Sequence, residues 1–498
     1  AAWPGVEACL HAARMVVENV KGAPQLAELA RCLPALPDHP LVRSAAYGVL
    51  ASLAPWLSRN PDPLLRPLFE FAAAGVVQPL TAPAACGAVC ALCQHGAAQL
   101  GEPALELWTA TRPARLPLEQ DLRLLEGLTY VAATLNPARC LAVLRTFAGP
   151  SAEALAAVTP AADAVEVRVH LERLTSLVRC ARRDVPETEP HPAMELFREL
   201  LPLLNRVLEA FPDSQAMAEK VTRVYKHALH CAPSHFAPLV PSLAEHLAHR
   251  FDATAHGPYL YVGGVCVGEL YDDEQYVRVL CGMMESFTRS FFRHLPTIHE
   301  FRQMPDVVEE FYYLVAKFLM YMPGPLVQSE EVMTILMNAA IQGMSLNHVE
   351  AQKAVLSFLE QLISITRPTP SASPDRHSVA NVVAGILAKH GEELVRTMVA
   401  CISGNALDIT LDDRHGCFTD TLHDLMQLQW PQLRDWCERA VQQLEPGLRE
   451  EAIRSDLART LAEDSFRRGF GLGSYLRKYH SRCERRIAQE ASVLSGGG

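Results

Sequence analysis

Apolar residues recur along this chain at the three-to-four-residue spacing of one helix face almost from end to end, and that periodicity constrains the fold more than any single motif. Val6, Leu10, Ala13 and Val17 mark it near the start, and Val308, Phe311, Val315 and Phe318 mark it much further on. Prolines and polar clusters interrupt the pattern at residues 34–40, 60–63, 136–137, 212–214, 232–234, 322–325 and 431. The segments between them read as helices of roughly 10 to 20 residues. Strands are disfavoured: aromatics are only 7% of the chain, and β-branched runs closed by Asn-Gly or Asp-Gly turns are missing. Residues 71–101 carry no charged side chain, but Gln78, Pro79, Thr81 and Pro83 break them. A membrane span needs about 20 continuous apolar residues, so this stretch reads as two buried helices joined by a turn.

About twenty such helices, hence about ten pairs, recur at the roughly 40–47-residue period of HEAT and armadillo arrays. One helix is especially clear. In residues 39–53, Val42-Arg43 opens the helix, Ala45, Ala46 and Ala51 leave room for a neighbouring helix, and Leu50 and Leu53 fill the gap between repeats. Residues 348–362 repeat the scheme, with Gln352-Lys353 where the first copy has Arg43-Ser44. The expected fold is an all-α HEAT-repeat, ARM-like superhelical solenoid of antiparallel helix pairs over residues 1–490. Residues 491–498 are expected to form a disordered tail. Residues 182–192 and 367–376, rich in proline and charge, read as exposed loops between helices.

The chain begins Ala1-Ala2-Trp3, shows no secretory signal and reads as part of a longer protein. Its 14 cysteines lack the spacing of a disulfide framework and mostly sit inside apolar helical patterns, which points to a reducing compartment. A formal charge of −11 argues against general nucleic-acid binding and suits basic partners.

Cys86, Cys90 and Cys93 with His95 suggest metal ligands, yet the three thiols follow i, i+4, i+7 on one helix face, which is the period of a core. Gly469-Phe470-Gly471-Leu472-Gly473 lacks the strand before it and the Lys-Ser/Thr after it that a phosphate loop requires. No nucleophile elbow, metal-binding helix or catalytic dyad is recognisable, so no enzymatic activity and no cofactor is expected. The helix expected over residues 214–231 is more informative. Met217, Val221, Val224 and Ala228 make a narrow apolar stripe, and Lys220, Arg223, Lys226, His227 and His230 fall opposite it. Such a face could hold carboxylates or phosphates of a partner peptide; the plainer alternative is a solvated face with Glu219 paired to Arg223. Arg467, Arg468, Arg477, Lys478, Arg482, Arg485 and Arg486 form a second basic cluster, readable as a charged cap on the array.

From Trp3 to about Arg486 the chain resembles the C-terminal half of the transportin-SR and importin-thirteen subfamily of importin-β receptors. The resemblance is carried by Trp3 with Val6-Glu7-Ala8, by Val42-Arg43 followed by Arg59-Asn60-Pro61, by residues 79–85 leading into Cys90-Ala91-Leu92-Cys93, and by Leu171-Glu172-Arg173-Leu174 with His191-Pro192. Leu260-Tyr261-Val262-Gly263 and Glu269-Leu270-Tyr271 are similar to the transportin-SR branch. Residues 305–311 with Pro323 are similar to both branches, and Trp430 with Trp436-Cys437 gives a shorter match.

The resemblance implies a nuclear import receptor that shuttles between cytoplasm and nucleus. Such a receptor binds protein cargo, arginine/serine-rich splicing factors in one branch, crosses the pore on phenylalanine-glycine nucleoporins, and releases cargo to Ran-GTP. It also implies that the arginine-rich helix that contacts phosphorylated cargo falls on Arg223, Lys226 and His230, with Lys220 beside them. Lys and His stand here where the family mostly has Arg. The family's main Ran surface belongs to N-terminal repeats, so this chain is not expected to show full Ran-regulated release. A HEAT scaffold without transport role, or a regulatory subunit of an enzyme, is the alternative.

Overall fold

A computed structural model describes residues 3–20, 25–60, 63–367, 374–404, 421, 425, 432–462 and 472–495. Among them there are helices, 3-10 turns and loops and no strand, and the architecture is the expected all-α HEAT array. The chain divides into two compact units, Ala1–Leu239 and Val240–Gly498.

In the first unit every second helix stacks on the one before it. Trp3–Asn19, Pro40–Leu57, Ala82–Leu100, Leu118–Thr134, Ala164–Cys180 and Gln215–Cys231 form one row. Behind it Pro137–Ala156 packs on Pro192–Ala210, and adjacent helices of the two rows close each pair. In the second unit Gly257–Leu270, Pro305–Tyr321 and Val349–Ile365 make one row. Val240–Thr254 packs on Glu274–His294 in the other. Such layering follows from the sequence pattern, because a helix with one apolar stripe can bury it only by stacking on equivalents of itself.

The two clear repeat helices are Pro40–Leu57 and Val349–Ile365, with Val42, Ala46, Leu50 and Leu53 buried in the first and Ala351, Ala354, Val355, Phe358 and Leu362 in the second. His348 caps the latter by accepting from the Ala351 amide at 3.2 Å. The uncharged stretch is indeed two helices, Leu65–Val76 and Ala82–Leu100, joined by a turn; no helix among the described residues is long and apolar enough to cross a membrane. Small residues bring helices close: a Cβ on Gly127 would lie 2.8 Å from the Cys90 Cα of the facing helix. Not every proline ends a helix. Pro150 and Pro202 lie inside helices on exposed faces, where water can take the carbonyl that proline leaves unbonded. Pro374–Ser403, with no proline after its first residue, runs for 30 residues.

Three helix C-termini are finished by side chains from later parts of the chain. Arg183 Nη1 donates to the Leu135 carbonyl at 2.7 Å, and Arg206 Nη1 donates to the Ala156 carbonyl. Arg293 and His294 both reach the Asp252 carbonyl. These side chains satisfy carbonyls that the helix itself leaves open. The second unit is filled by aromatic rings: Phe291 stacks on Phe311 at 3.8 Å between centroids, and Phe292, Phe301 and Tyr312 meet Phe291 edge-on. The last helix, Leu472–Ser495, extends past residue 490 into the expected tail. The glycine-rich sequence around Gly471, Trp430, Arg467 and Arg468 fall outside the described residues.

Candidate functional site

Five basic residues read from the sequence, Lys220, Arg223, Lys226, His227 and His230, come together on the helix Gln215–Cys231. Ser214 starts it, accepting from the Met217 amide at 3.3 Å as a serine N-cap should. Met217, Val221, Val224, Tyr225 and Ala228 are buried against Ala164–Cys180 and Pro192–Ala210. That arrangement leaves Arg223 exposed and Lys220, Lys226, His227 and His230 half-buried along the outer side.

The face is already charge-compensated in part. Arg223 Nη2 donates to Glu219 Oε1 at 2.5 Å, the pairing visible from the i, i+4 spacing. Lys220 Nζ donates at 2.5 Å to Glu172 Oε1 on the preceding row helix. The sequence did not show this partner, because it lies 48 residues away. Both pairs keep water on at least one side, and such pairs contribute only about 0–1 kcal/mol. Burial, reinforced by Lys226, Arg179, His230 and Arg223, pushes the His227 imidazole down to about 4. Above that pH it offers a neutral ring nitrogen and no charge.

The same side of the row carries a ladder of charged contacts that sequence reasoning missed. Asp121, only 5% exposed, accepts from Arg112 at 3.2 Å and from Arg173 at 2.7 Å. Glu126 accepts from Arg179 and, at 3.2 Å, from Ser176. Together with Glu172 and Lys220 these contacts tie Leu118–Thr134 to Ala164–Cys180 and the latter to Gln215–Cys231. No local spacing signals them, since every partner comes from another helix.

Just beyond this helix row, the loop before Pro192–Ala210 is held by histidines. His191 is 1% exposed; its Nε2 lies 3.3 Å from the Arg183 carbonyl. His235 Nε2 lies 3.2 and 3.0 Å from the Pro186 and Glu189 carbonyls. Burial pushes the His191 imidazole down to about 4, opposed by its hydrogen bond to the Arg183 carbonyl and helped by the nearby charges of His235 and Arg183. A histidine whose folded pKa is depressed favours the unfolded chain once the pH falls below the ordinary value near 6.5, so stability present above that pH is lost as the pH falls toward 4. The urea midpoint of the first unit's transition is therefore expected to drop across this window. His191→Gln, followed by tryptophan fluorescence, should flatten part of the drop; an equally steep profile in the variant would assign it to other groups.

The cysteines of the suggested metal cluster serve packing. Cys86, Cys90 and Cys93 are buried on Ala82–Leu100, and burial pushes the Cys86 and Cys90 thiols up to about 12, which disfavours the thiolate that a metal would need. Among the described residues no group of three or more His, Cys, Asp or Glu side chains is placed to hold a metal ion. Within the C-terminal basic cluster Arg482 Nε donates to Glu451 at 2.7 Å and Arg486 Nη2 to Glu450 at 2.7 Å, tying the last helix to Pro446–Arg454.

Residues 191–295, which include the whole basic helix, match the family model described as the Transportin-3/Importin-13 fourth TPR domain. An uncharacterized protein of Schizosaccharomyces pombe is 24% identical over 74% of this chain and 40% of its own length. Transportin MOS14 of Arabidopsis thaliana is 20% identical over 60% of this chain and 30% of its own. Importin-13 of Mus musculus is 21% identical over 51% and 24%. A solved structure described as the cytosolic state of importin-13 superposes with a TM-score of 0.79 at 18% identity, covering 96% of this chain and 54% of that one. The chain thus spans about half or less of the proteins it matches. Those relatives that carry a functional name are transport receptors and not enzymes.

Proposed function

We propose that this chain is a member of the importin-β family, similar to importin-13 and the transportins, that it is the cargo-binding part of a nuclear import receptor, and that its helix Gln215–Cys231 takes an acidic or phosphorylated segment of a protein cargo. The observation that carries this reading is the grouping of Lys220, Arg223, Lys226, His227 and His230 on the outer side of one row helix, inside the matched domain. Two of these cations are held only by partly solvated carboxylates, Glu172 and Glu219. A phosphate, with about two negative charges and three acceptor oxygens, competes well against such pairs. Arg223 can meet it through a two-pronged fork, and Lys220 and Lys226 act as point charges. In this reading the cargo includes arginine/serine-rich splicing factors. The complete receptor meets phenylalanine-glycine nucleoporins and Ran-GTP through its other repeats and shuttles between cytoplasm and nucleus.

The test is calorimetric titration of a phosphorylated arginine/serine-repeat peptide into the chain and into a Lys220→Glu, Arg223→Glu, Lys226→Glu variant at physiological salt. Reversing three charges is expected to weaken binding by roughly a thousandfold or more, since each hydrogen bond to a charged group contributes about 1.5–3 kcal/mol and every 1.4 kcal/mol is about tenfold. Equal binding by both would move the site to another part of the chain. Binding by neither would favour a HEAT scaffold without transport role.

A further inference from the structure

The second unit carries an exposed aromatic face that the phosphate site does not use. Tyr261, Gly264, Gly268 and Tyr271 follow i, i+3, i+7, i+10 along Gly257–Leu270 and the residue after it, which places them on one side of the helix. Nearly every other residue of that helix is buried. Tyr321, at the end of the neighbouring Pro305–Tyr321, stacks on Tyr271 at 4.5 Å and 25°. Tyr261, Tyr271 and Tyr321 stay 37–38% exposed, and Met320 53%. Gly264 is itself buried beneath the Lys317 side chain, which a Cβ there would touch at 3.4 Å, and a Cβ on the half-buried Gly268 would touch the Tyr321 ring at 3.8 Å.

Two observations say what fits there. The chain already seats a cation on this face, with Lys317 Nζ 6.0 Å from the centre of the Tyr261 ring. The turn beside Tyr271 is acidic, with Asp272, Asp273 and Glu274 in succession, all exposed, and Glu269 one turn earlier. Tyrosine faces bordered by carboxylates match a guanidinium, which stacks flat on an aromatic ring while its edge pairs bidentately with a carboxylate. An ammonium cannot do both.

We propose that the face formed by Tyr261, Tyr271 and Tyr321 with the turn at Asp272 is a docking surface for an arginine-bearing extended segment of a partner protein. The rings supply apolar and cation–π contact, and the turn supplies countercharge. The inference goes beyond the phosphate-binding reading and does not depend on it, because it concerns the arginines of a partner and another unit of the chain.

An unphosphorylated arginine–serine octapeptide, labelled for fluorescence anisotropy, separates the possibilities when titrated into the full chain, with the matched lysine–serine peptide as competitor. The arginine peptide should bind several-fold more tightly than the lysine peptide. Tyr271→Ala with Tyr321→Ala should weaken it roughly tenfold, in line with two lost cation–π contacts. Asp272→Asn with Asp273→Asn should do so too without disturbing the packing, since asparagine still caps the helix after Asp273. The Lys220→Glu, Arg223→Glu, Lys226→Glu variant should bind this peptide as the parent chain does, so the two sites fail or stand separately. The proposal is overturned if the parent chain does not bind the peptide, if lysine and arginine peptides bind alike, or if the tyrosine and aspartate variants bind unchanged. It is equally overturned if sedimentation shows that the tyrosines mediate pairing of two copies.

Discussion

Phe311→Ala is expected to destabilise the second unit by about 3–5 kcal/mol, a drop in thermal midpoint on the order of 10 °C. The ring is fully buried, and its loss would leave a void between two helices. On one side it stacks on Phe291 at 3.8 Å between centroids and 7° between planes; on the other it meets Phe292 and Tyr312 edge-on at 5.9 and 5.6 Å. A closely packed interior relaxes only partly into such a space. Ile335→Ala, at a position 42% exposed in the same unit, serves as the control and should move the midpoint little. Calorimetry of the three proteins decides the matter. A shift no larger than the control's would mean that the ring cluster closes over the gap, contrary to the packing described.

In the first unit, Gly127→Ala should be harmful although alanine is the better helix former. The added Cβ would stand 2.8 Å from the Cys90 Cα and 3.4 Å from the Cys93 Cβ. The first of these is backbone and cannot swing away, so Leu118–Thr134 and Ala82–Leu100 would have to separate. Overpacking of this kind costs about 1–3 kcal/mol. Gly87, on the same Ala82–Leu100 helix, has no atom within 4 Å of such a Cβ, and Gly87→Ala should instead add up to about 1 kcal/mol of stability. Opposite signs for one substitution on facing helices can be read from urea midpoints. A stabilising Gly127→Ala would show that the helix contact is looser than 2.8 Å implies.

The repeat fold could be read from the sequence because its governing signal is local. The spacing of Val42, Ala46, Val49 and Leu53 fixes a helix face, and proline or polar breaks fix most helix ends. Pro150 and Pro202 do not break their helices, because their exposed positions leave the orphaned carbonyls to water, and exposure is a property of packing that local spacing does not show. The cationic face of Gln215–Cys231 was legible from its period, and so was Glu219 beside Arg223. Glu172 was not, nor were Arg173 beside Asp121 and Arg179 beside Glu126, because they arrive from a helix that only stacking brings close. The stripe Tyr261, Gly264, Gly268, Tyr271 was present in the sequence as a period too, but its weight comes from Tyr321, which stacking on the next row helix supplies.

The arginines that close earlier helix ends have a consequence for synthesis on the ribosome. Leu135 and Ala156 emerge 48 and 50 residues before Arg183 and Arg206, the side chains that bond their carbonyls. At the ordinary pace of translation, about 5–20 residues per second, each of those helices spends roughly 2 to 10 seconds with its end open to water. At these two joints a later segment completes a helix already outside the tunnel, so the bonds that finish them form only after the chain that follows has been made.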